Sequence, residues 1–548
     1  MKKWTRLLAA AVLLISAAAC STPEAKTETL EGKGNGFGGL ITVTVTRKDG
    51  KITDVKAVGD QETQGIGSQA IEQLPQAIVK ANSTDVDNVS GATFSSQGIK
   101  DAVNNALDPQ TYPYVAKAEK EEQPKEVVAS DLNQGLAIVS NGRLGPGKDD
   151  QEVSVYSFNE VVLNALFDKD GKILDLNIDE LEVATPNYDG ADMPQFSGFP
   201  GQGGYNYDEN HDGKVEGKTA DSEEQFLAEF DTWKTKRERG ESYKLNSGTW
   251  ASEMDVFEQL FVGKTVAEVE DWFAKYTDAN GRPLQAEAKS DEEKKMLEDV
   301  RTGATISLKD AHGDFITALK KAYELRQPLD VREAAAEGLG VASNGRVGPG
   351  KDDQEVQVYS FNTLVASALF DAEGRIVSLK LDELEVATPN YDGADMPQFS
   401  GFPGQGGYNN DENHDGKVEG KTADSEEQFL AEFDTWKTKR ERGESYKLNS
   451  GTWASEADVF EKLFVGKTVA EVEDWFAKYT DANGRPLQAE AKSDEDKAKF
   501  SALSDEEKKM LEDVRTGATI SLKDGHGDFI QAIKNAYENR RPITLKSE

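Results

Sequence analysis

Hydrophobic and polar residues alternate in the segment LITVTVT, which places Ile41, Val43 and Val45 on one face of a strand. The chain turns at Lys48-Asp49-Gly50 and returns as KITDVKAV, the pattern of a β-hairpin with an Asp-Gly turn. A helix is predicted around Ile71 to Val79, and another where Ile99, Val103 and Leu107 share one face. Farther on, VVLNALFDKDGKILDLNID from Val161 repeats the strand, Asp-Gly turn and return strand. Helices are predicted over Phe226 to Glu238 and Val266 to Tyr276, with Trp233 and Trp272 as core anchors. Phe315, Leu319 and Ala322 mark another helix face. Hairpins packed by flanking helices make the fold class α+β: a small domain followed by two tandem, enlarged α+β repeats of related motif.

The repeats are visible directly. GRLGPGKDD at Gly142 recurs as GRVGPGKDD at Gly345, and TPNYDG at Thr185 recurs at Thr388, both with an offset of 203. From Thr185 to Glu292 the copies differ only at Tyr207/Asn410, Met254/Ala457 and Gln259/Lys462. The second copy then carries an eleven-residue insertion, so Thr305 corresponds to Thr519. The predicted organisation is a signal peptide at 1–20, a polar tether at 21–31 and a first domain at 32–108. A Pro- and charge-rich linker at 109–131 leads to repeats at 132–332 and 333–548.

Charge narrows the partners. A net charge of −37, spread along the chain, argues against nucleic acid or anionic lipid, since both need basic clusters. At the N-terminus Lys2, Lys3 and Arg6 precede an apolar run from Leu7 to Ile15 and small residues up to Cys20, the chain's single cysteine. That is the layout of a bacterial lipoprotein signal, with Cys20 lipidated; the alternative is an ordinary secretory signal cleaved nearby. No C-x-x-C-H, zinc spacing, nucleophile elbow or P-loop occurs. The opening GKGNGFGG holds a nominal G-x-G-x-x-G, but it precedes a strand instead of following one, so a dinucleotide site is rejected.

Three stretches read D-x-x-[ST]-G-A-T: DNVSGAT from Asp87, and DVRTGAT from Asp299 and from Asp513. Each runs toward a segment of helical pattern, which predicts a Thr hydroxyl just before a helix, left open by Gly and Ala. Free N–H groups and the helix dipole favour a phosphate there. The candidate residues are Asp87, Ser90, Gly91, Ala92 and Thr93; Asp299, Thr302, Gly303, Ala304 and Thr305; and Asp513, Thr516, Gly517, Ala518 and Thr519. The alternative is a Ser/Thr turn that caps a helix and binds nothing.

The first motif and its surroundings resemble the FMN-binding domain of the C and G subunits of the Nqr and Rnf ion-pumping complexes. The same domain occurs in bacterial surface lipoproteins that carry electrons. The resemblance implies that a flavin transferase of the ApbE type joins FMN through its phosphate to the last Thr: Thr93, Thr305 and Thr519. Where the family often has His and Pro, this chain has Asp60 and Gln64. The implied protein is lipid-anchored on the extracytoplasmic face of the cell membrane. With up to three covalent FMN groups it would be an electron carrier and not an enzyme, between a membrane quinol-linked donor and an extracellular acceptor. Two other readings stay open: a non-redox surface lipoprotein binding calcium or a peptide, and a terminal flavin-dependent reductase.

Side constellations add candidates. DENHDGKVEGKT, from Asp208 and again from Asp411, has oxygen ligands at calcium-loop positions: Asp208, Asn210 and Asp212, and Asp411, Asn413 and Asp415. The usual Glu at the twelfth position is replaced by Thr219 or Thr422, and a plain Asp/Gly turn is the alternative. The loop holding Tyr188, Phe196, Phe199 and Tyr205 could shield a flavin ring or be an irregular connection pinned by its aromatics. The basic cluster KTKRERG from Lys234 is expected as a solvated helix end, or as a partner for phosphate or carboxylate. His312 and His526, seven residues beyond the Thr, are placed to reach a ligand or to cap a helix.

Overall fold

A computed structural model describes residues 27–36, 39–59, 67–86, 88–89, 92–114, 132–148, 154–184, 222–284, 290–329, 334–351, 357–387 and 425–545. They divide into two compact units, with the boundary between residues 121 and 122. Both mix helices with antiparallel sheet, as the α+β class requires.

In the first unit β1 (Thr27–Asn35), β2 (Leu40–Lys48) and β3 (Lys51–Val58) form an antiparallel sheet in that order. Asp49 and Gly50 make the tight turn with positive φ of 50° and 79°, as the Asp-Gly pair demands. Ile41, Val43 and Val45 point to the core, where α1 (Gly67–Ala81) and α2 (Thr93–Leu107) cover the sheet. The segment 27–31 is strand, not the predicted tether, and the glycines beside it have a packing role. A Cβ on Gly32 or Gly34 would collide with the carbonyl oxygens of Ala102 and Gly98, and one on Gly98 would stand 2.6 Å from the Asn35 oxygen. The backbone of α2 therefore rests directly on β1.

The second unit contains both repeats. In the first, β4 (Leu132–Lys148), β5 (Ser154–Phe167) and β6 (Ile173–Ala184) form a meander. Helices α3 (Glu223–Glu229), α4 (Lys236–Arg239), α5 (Trp250–Phe261), α6 (Val266–Tyr276) and α7 (Asp291–Gly303) follow. A short hairpin, β7 (Lys309–Asp310) and β8 (Gly313–Asp314), leads to α8 (Phe315–Glu324) and edge strand β9 (Gln327–Leu329). The sheet order is β6-β5-β4-β9. The second repeat gives β10 (Ala334–Lys351), β11 (Gln357–Phe370), β12 (Ile376–Ala387), α9 (Glu426–Phe433), α10 (Trp453–Phe464) and α11 (Val469–Tyr479). It continues with α12 (Asp494–Ser501) from the insertion, α13 (Asp505–Gly517), β13 (Lys523–Asp524), β14 (Gly527–Asp528), α14 (Phe529–Glu538) and β15 (Arg541–Leu545). Gly135 seats α8 on β4, and Gly338 and Gly340 seat α14 on β10, so the glycine-to-helix contact of the first unit recurs in each repeat.

The predicted helix over Phe226 to Glu238 is broken. Trp233 leaves helical geometry at ψ 138°, and Thr235 restarts the chain as an N-cap in a capping box with Glu238. The break lets α3 reach the other repeat. It packs on β10, while α9 packs on β4. Phe230 lies 5.7 Å from Phe361 and Phe433 5.5 Å from Phe158, ring centre to ring centre, in one core shared by the repeats.

Glu160, wholly buried on β5, has no cationic partner among the described residues. Burial pushes its carboxyl up to about 7, with the Thr363 hydroxyl offsetting part of the effect. Because the folded pKa lies above the unfolded value, the penalty is absent below the unfolded pKa and grows as pH rises to the folded one. Glu160→Gln should therefore stabilise the second unit by up to about 3 kcal/mol at pH ~8 and by little at pH ~5. Urea midpoints at the two pH values check this; an equal gap at both would refute the assignment.

Candidate functional site

Thr93 is the first residue of α2. The N-cap is Ala92, buried and with no side chain able to cap the helix. The preceding loop is tied to the helix: Ser96 accepts from Val89 N–H at 3.0 Å, and Lys100 donates to Asn88 at 2.6 Å. Asp87, Ser90, Gly91 and the Thr93 side chain lie outside the described residues, as do Asp60 and Gln64. An uncapped helix start beside a buried Ala fits a phosphate, because aligned N–H groups and the dipole both favour an anion.

The other two motifs are placed differently, and the expectation of a following helix is corrected. Asp299, Thr302 and Gly303 belong to the last turns of α7, and Ala304 is its C-cap; Asp513, Thr516, Gly517 and Ala518 repeat this at α13. Thr305 and Thr519 thus sit just past a helix C-terminus, where the dipole disfavours phosphate. Their hydroxyls are also engaged. Thr305 donates its N–H (2.6 Å) and its hydroxyl (3.0 Å) to Glu253, which also accepts from Ile306 N–H (3.1 Å) and Ser247 N–H (3.0 Å). Thr519 makes the same bonds to Glu456 at 2.6 and 3.1 Å. Both carboxylates are fully buried, so the anion position near each Thr is already filled by the chain itself. The Ser290-x-x-Glu293 capping box, which starts α7, was the sequence signal for a helix running into the motif.

The basic cluster is not a solvated helix end. Lys236 is buried with its ammonium 2.5 Å from Glu180 and 3.7 Å from Glu182. Burial works against its charge, but those carboxylates hold its pKa above the ordinary lysine value. Arg237 bridges Asp255 and Glu258 at 2.7 and 2.6 Å. Lys439 and Arg440 repeat both arrangements. His312 and His526 sit in the β7–β8 and β13–β14 turns, each with Nδ1 3.0 Å from Asp310 or Asp524. The caps of α8 and α14 are Asp314 and Asp528 instead. The proposed calcium ligands Asp208, Asn210, Asp212, Asp411, Asn413 and Asp415, the aromatic loop, His211, His414 and Cys20 lie outside the described residues. Among the described residues no group of three or more His, Cys, Asp or Glu is arranged to hold a metal.

Residues 36–108 match the FMN-binding domain family. The N-terminal unit is an FMN-binding domain. FMN is therefore the cofactor of this flavoprotein. The chain is also 36% identical over 217 residues to chlorophenol reductase of Desulfitobacterium hafniense, covering 38% of this chain and 58% of that protein. NADH:acrylate oxidoreductase of Vibrio harveyi is 41% identical over 75 residues, 14% of this chain and 8% of the relative. Urocanate reductase of Eggerthella lenta is 38% identical over 77 residues, 14% of this chain and 13% of the relative. The chain thus spans just over half of one relative and small parts of the others. These relatives correct the expectation of a carrier that is not an enzyme: each is named a reductase or oxidoreductase, which points to an enzyme.

Glu456→Ala should leave the N–H groups of Ser450, Thr519 and Ile520 without their buried acceptor and cost about 3 kcal/mol. A urea midpoint unchanged from the parent would show that the carboxylate does not organise the turn.

Proposed function

We propose that this protein is a flavin-dependent reductase whose FMN is attached through its phosphate at Thr93. The observation that carries the reading is the start of α2: Thr93 opens a helix whose N-cap, Ala92, has no side-chain cap, inside the FMN-binding domain. FMN, when bound, supplies the electron transfer that a reductase requires. The chain's own residues do the holding. In this reading the N-terminus of α2 holds the phosphate, Ser96 and Lys100 fix the loop before it, and Gly32 and Gly34 seat the helix on β1. Thr305 and Thr519 carry no flavin in this reading, because each hydroxyl is engaged by a buried carboxylate past a helix C-terminus. Attachment would be made by a flavin transferase of the ApbE type, and electrons would come from a membrane quinol-linked donor.

Thr93→Ala, co-expressed with such a transferase, should lose flavin fluorescence on a denaturing gel, with a stability cost of at most about 1 kcal/mol. Undiminished fluorescence would remove Thr93 as the site. Peptide mass mapping should find the Thr305 and Thr519 peptides unmodified.

The same reading places the protein at a membrane surface, held by lipid on Cys20 and facing away from the cytoplasm. Cys20→Ser should move it from the membrane to the soluble fraction with its flavin content unchanged. Retention of the variant in the membrane would exclude this anchor.

A further inference from the structure

The second repeat contains a cavity of about 550 Å³, within the range of roughly 300–1,000 Å³ typical of small-molecule sites. It holds residues that the flavin reading leaves without a task. Trp453, Tyr446 and Phe529 give it aromatic walls, with the Trp453 and Phe529 rings 5.9 Å apart. Leu448 and Ile520 add apolar surface. Such walls suit a flat, unsaturated molecule, since ring faces and edges pack against planar groups.

The polar lining sets the charge of the occupant. Its two carboxylates are already committed. Glu383 lies 2.6 Å from the buried ammonium of Lys439, and Asp524 accepts from the His526 N–H at 2.8 Å with the ring Nδ1 3.0 Å away. With Nδ1 held by Asp524, the other ring nitrogen of His526 is left for a ligand. Arg485 also lines the cavity; its charge acts on the nearby Asp524, but among the described residues its side chain makes no hydrogen bond and no ion pair within 4.0 Å. An exposed guanidinium beside aromatic walls, in a chain of net charge −37, favours a monoanion able to accept two parallel hydrogen bonds. That is a carboxylate.

We propose that this cavity binds a small planar organic anion, a carboxylate conjugated to an aromatic ring, with Arg485 holding the carboxylate between the aromatic walls. The first repeat supplies a second copy of the same site. Every lining residue has an identical counterpart, and the internal contacts recur: Lys236 to Glu180 at 2.5 Å, His312 to Asp310 at 3.0 Å, and Trp250 to Phe315 at 6.2 Å between ring centres. Identity in the stretch after the motif is informative because that stretch has diverged. Thr317/Gln531, Leu319/Ile533, Lys321/Asn535 and Gln327/Arg541 all differ, yet none lines the cavity. Arg282 takes the place of Arg485.

The proposal does not depend on flavin at Thr93, and its test reads binding alone. Cinnamate is titrated calorimetrically into the full chain, and cinnamamide serves as the neutral planar control. Cinnamate should bind with one equivalent for each repeat, and cinnamamide about tenfold more weakly or worse. Arg485→Gln and Arg282→Gln, both on exposed side chains, should each remove one class of sites, and the double variant should remove both. No heat with cinnamate, equal affinity for cinnamamide, or unaltered binding by the double variant would overturn the proposal. So would peptide mapping that finds FMN on Thr519, since the cavity would then be a flavin pocket. Loss of flavin in Thr93→Ala with cinnamate binding intact would support both readings separately.

Discussion

The close approach of a helix backbone to an edge strand determines where the first of the three motifs sits. A helix that rests on β1 through Gly32 and Gly34 leaves no room for side chains between the two backbones. Its axis is fixed by main-chain atoms, which cannot adjust by changing rotamer. Everything at the start of α2 inherits that precision. The same seat at Gly135 and at Gly338 and Gly340 places α8 and α14 in the repeats. There the chain reaches the helix by a different route, through α7 or α13 and a two-strand turn, so one scaffold presents two kinds of helix approach.

That difference explains why one motif has two meanings. D-x-x-[ST]-G-A-T is short, and its small residues suit the beginning of a helix as well as the end of one. Around Thr93 the loop enters α2 with no side chain at the cap. Around Thr305 a helix started at Ser290 runs through Val300 and stops at Gly303, and Glu253 from α5 closes the end. Only the residues upstream of the motif distinguish these cases. The spacing of Leu297 and Val300, behind the Ser290 capping box, held that information.

Much of the local structure was legible because it depends on neighbours in sequence. The Asp-Gly hairpin, the helix over Val266–Tyr276 and the internal duplication follow from turn chemistry and periodicity. That residues 27–31 belong to β1 was not legible, since the glycines of that strand serve a helix some seventy residues away in sequence, a separation no window reads (Gly32 to Ala102). The burial of Lys236 and Lys439 was hidden for a related reason. A basic run looks solvated until the strands that carry Glu180 and Glu383 are packed beneath it. The cavity near Thr519 draws its walls from β12, α10, α14 and three connections, so only the folded chain assembles it.

The reciprocal crossing of α3 onto β10 and α9 onto β4 bears on how such a protein arose. Gly142 makes room for the ring of Phe433, and Gly345 makes room for that of Phe230. Each repeat keeps a socket for the other's aromatic helix. A chain with one repeat would have the socket and the plug but no partner within itself, and a second molecule would complete it as an exchanged dimer. Fusing two copies turns that association into a contact within one chain, held at an effective concentration that dilution cannot lower.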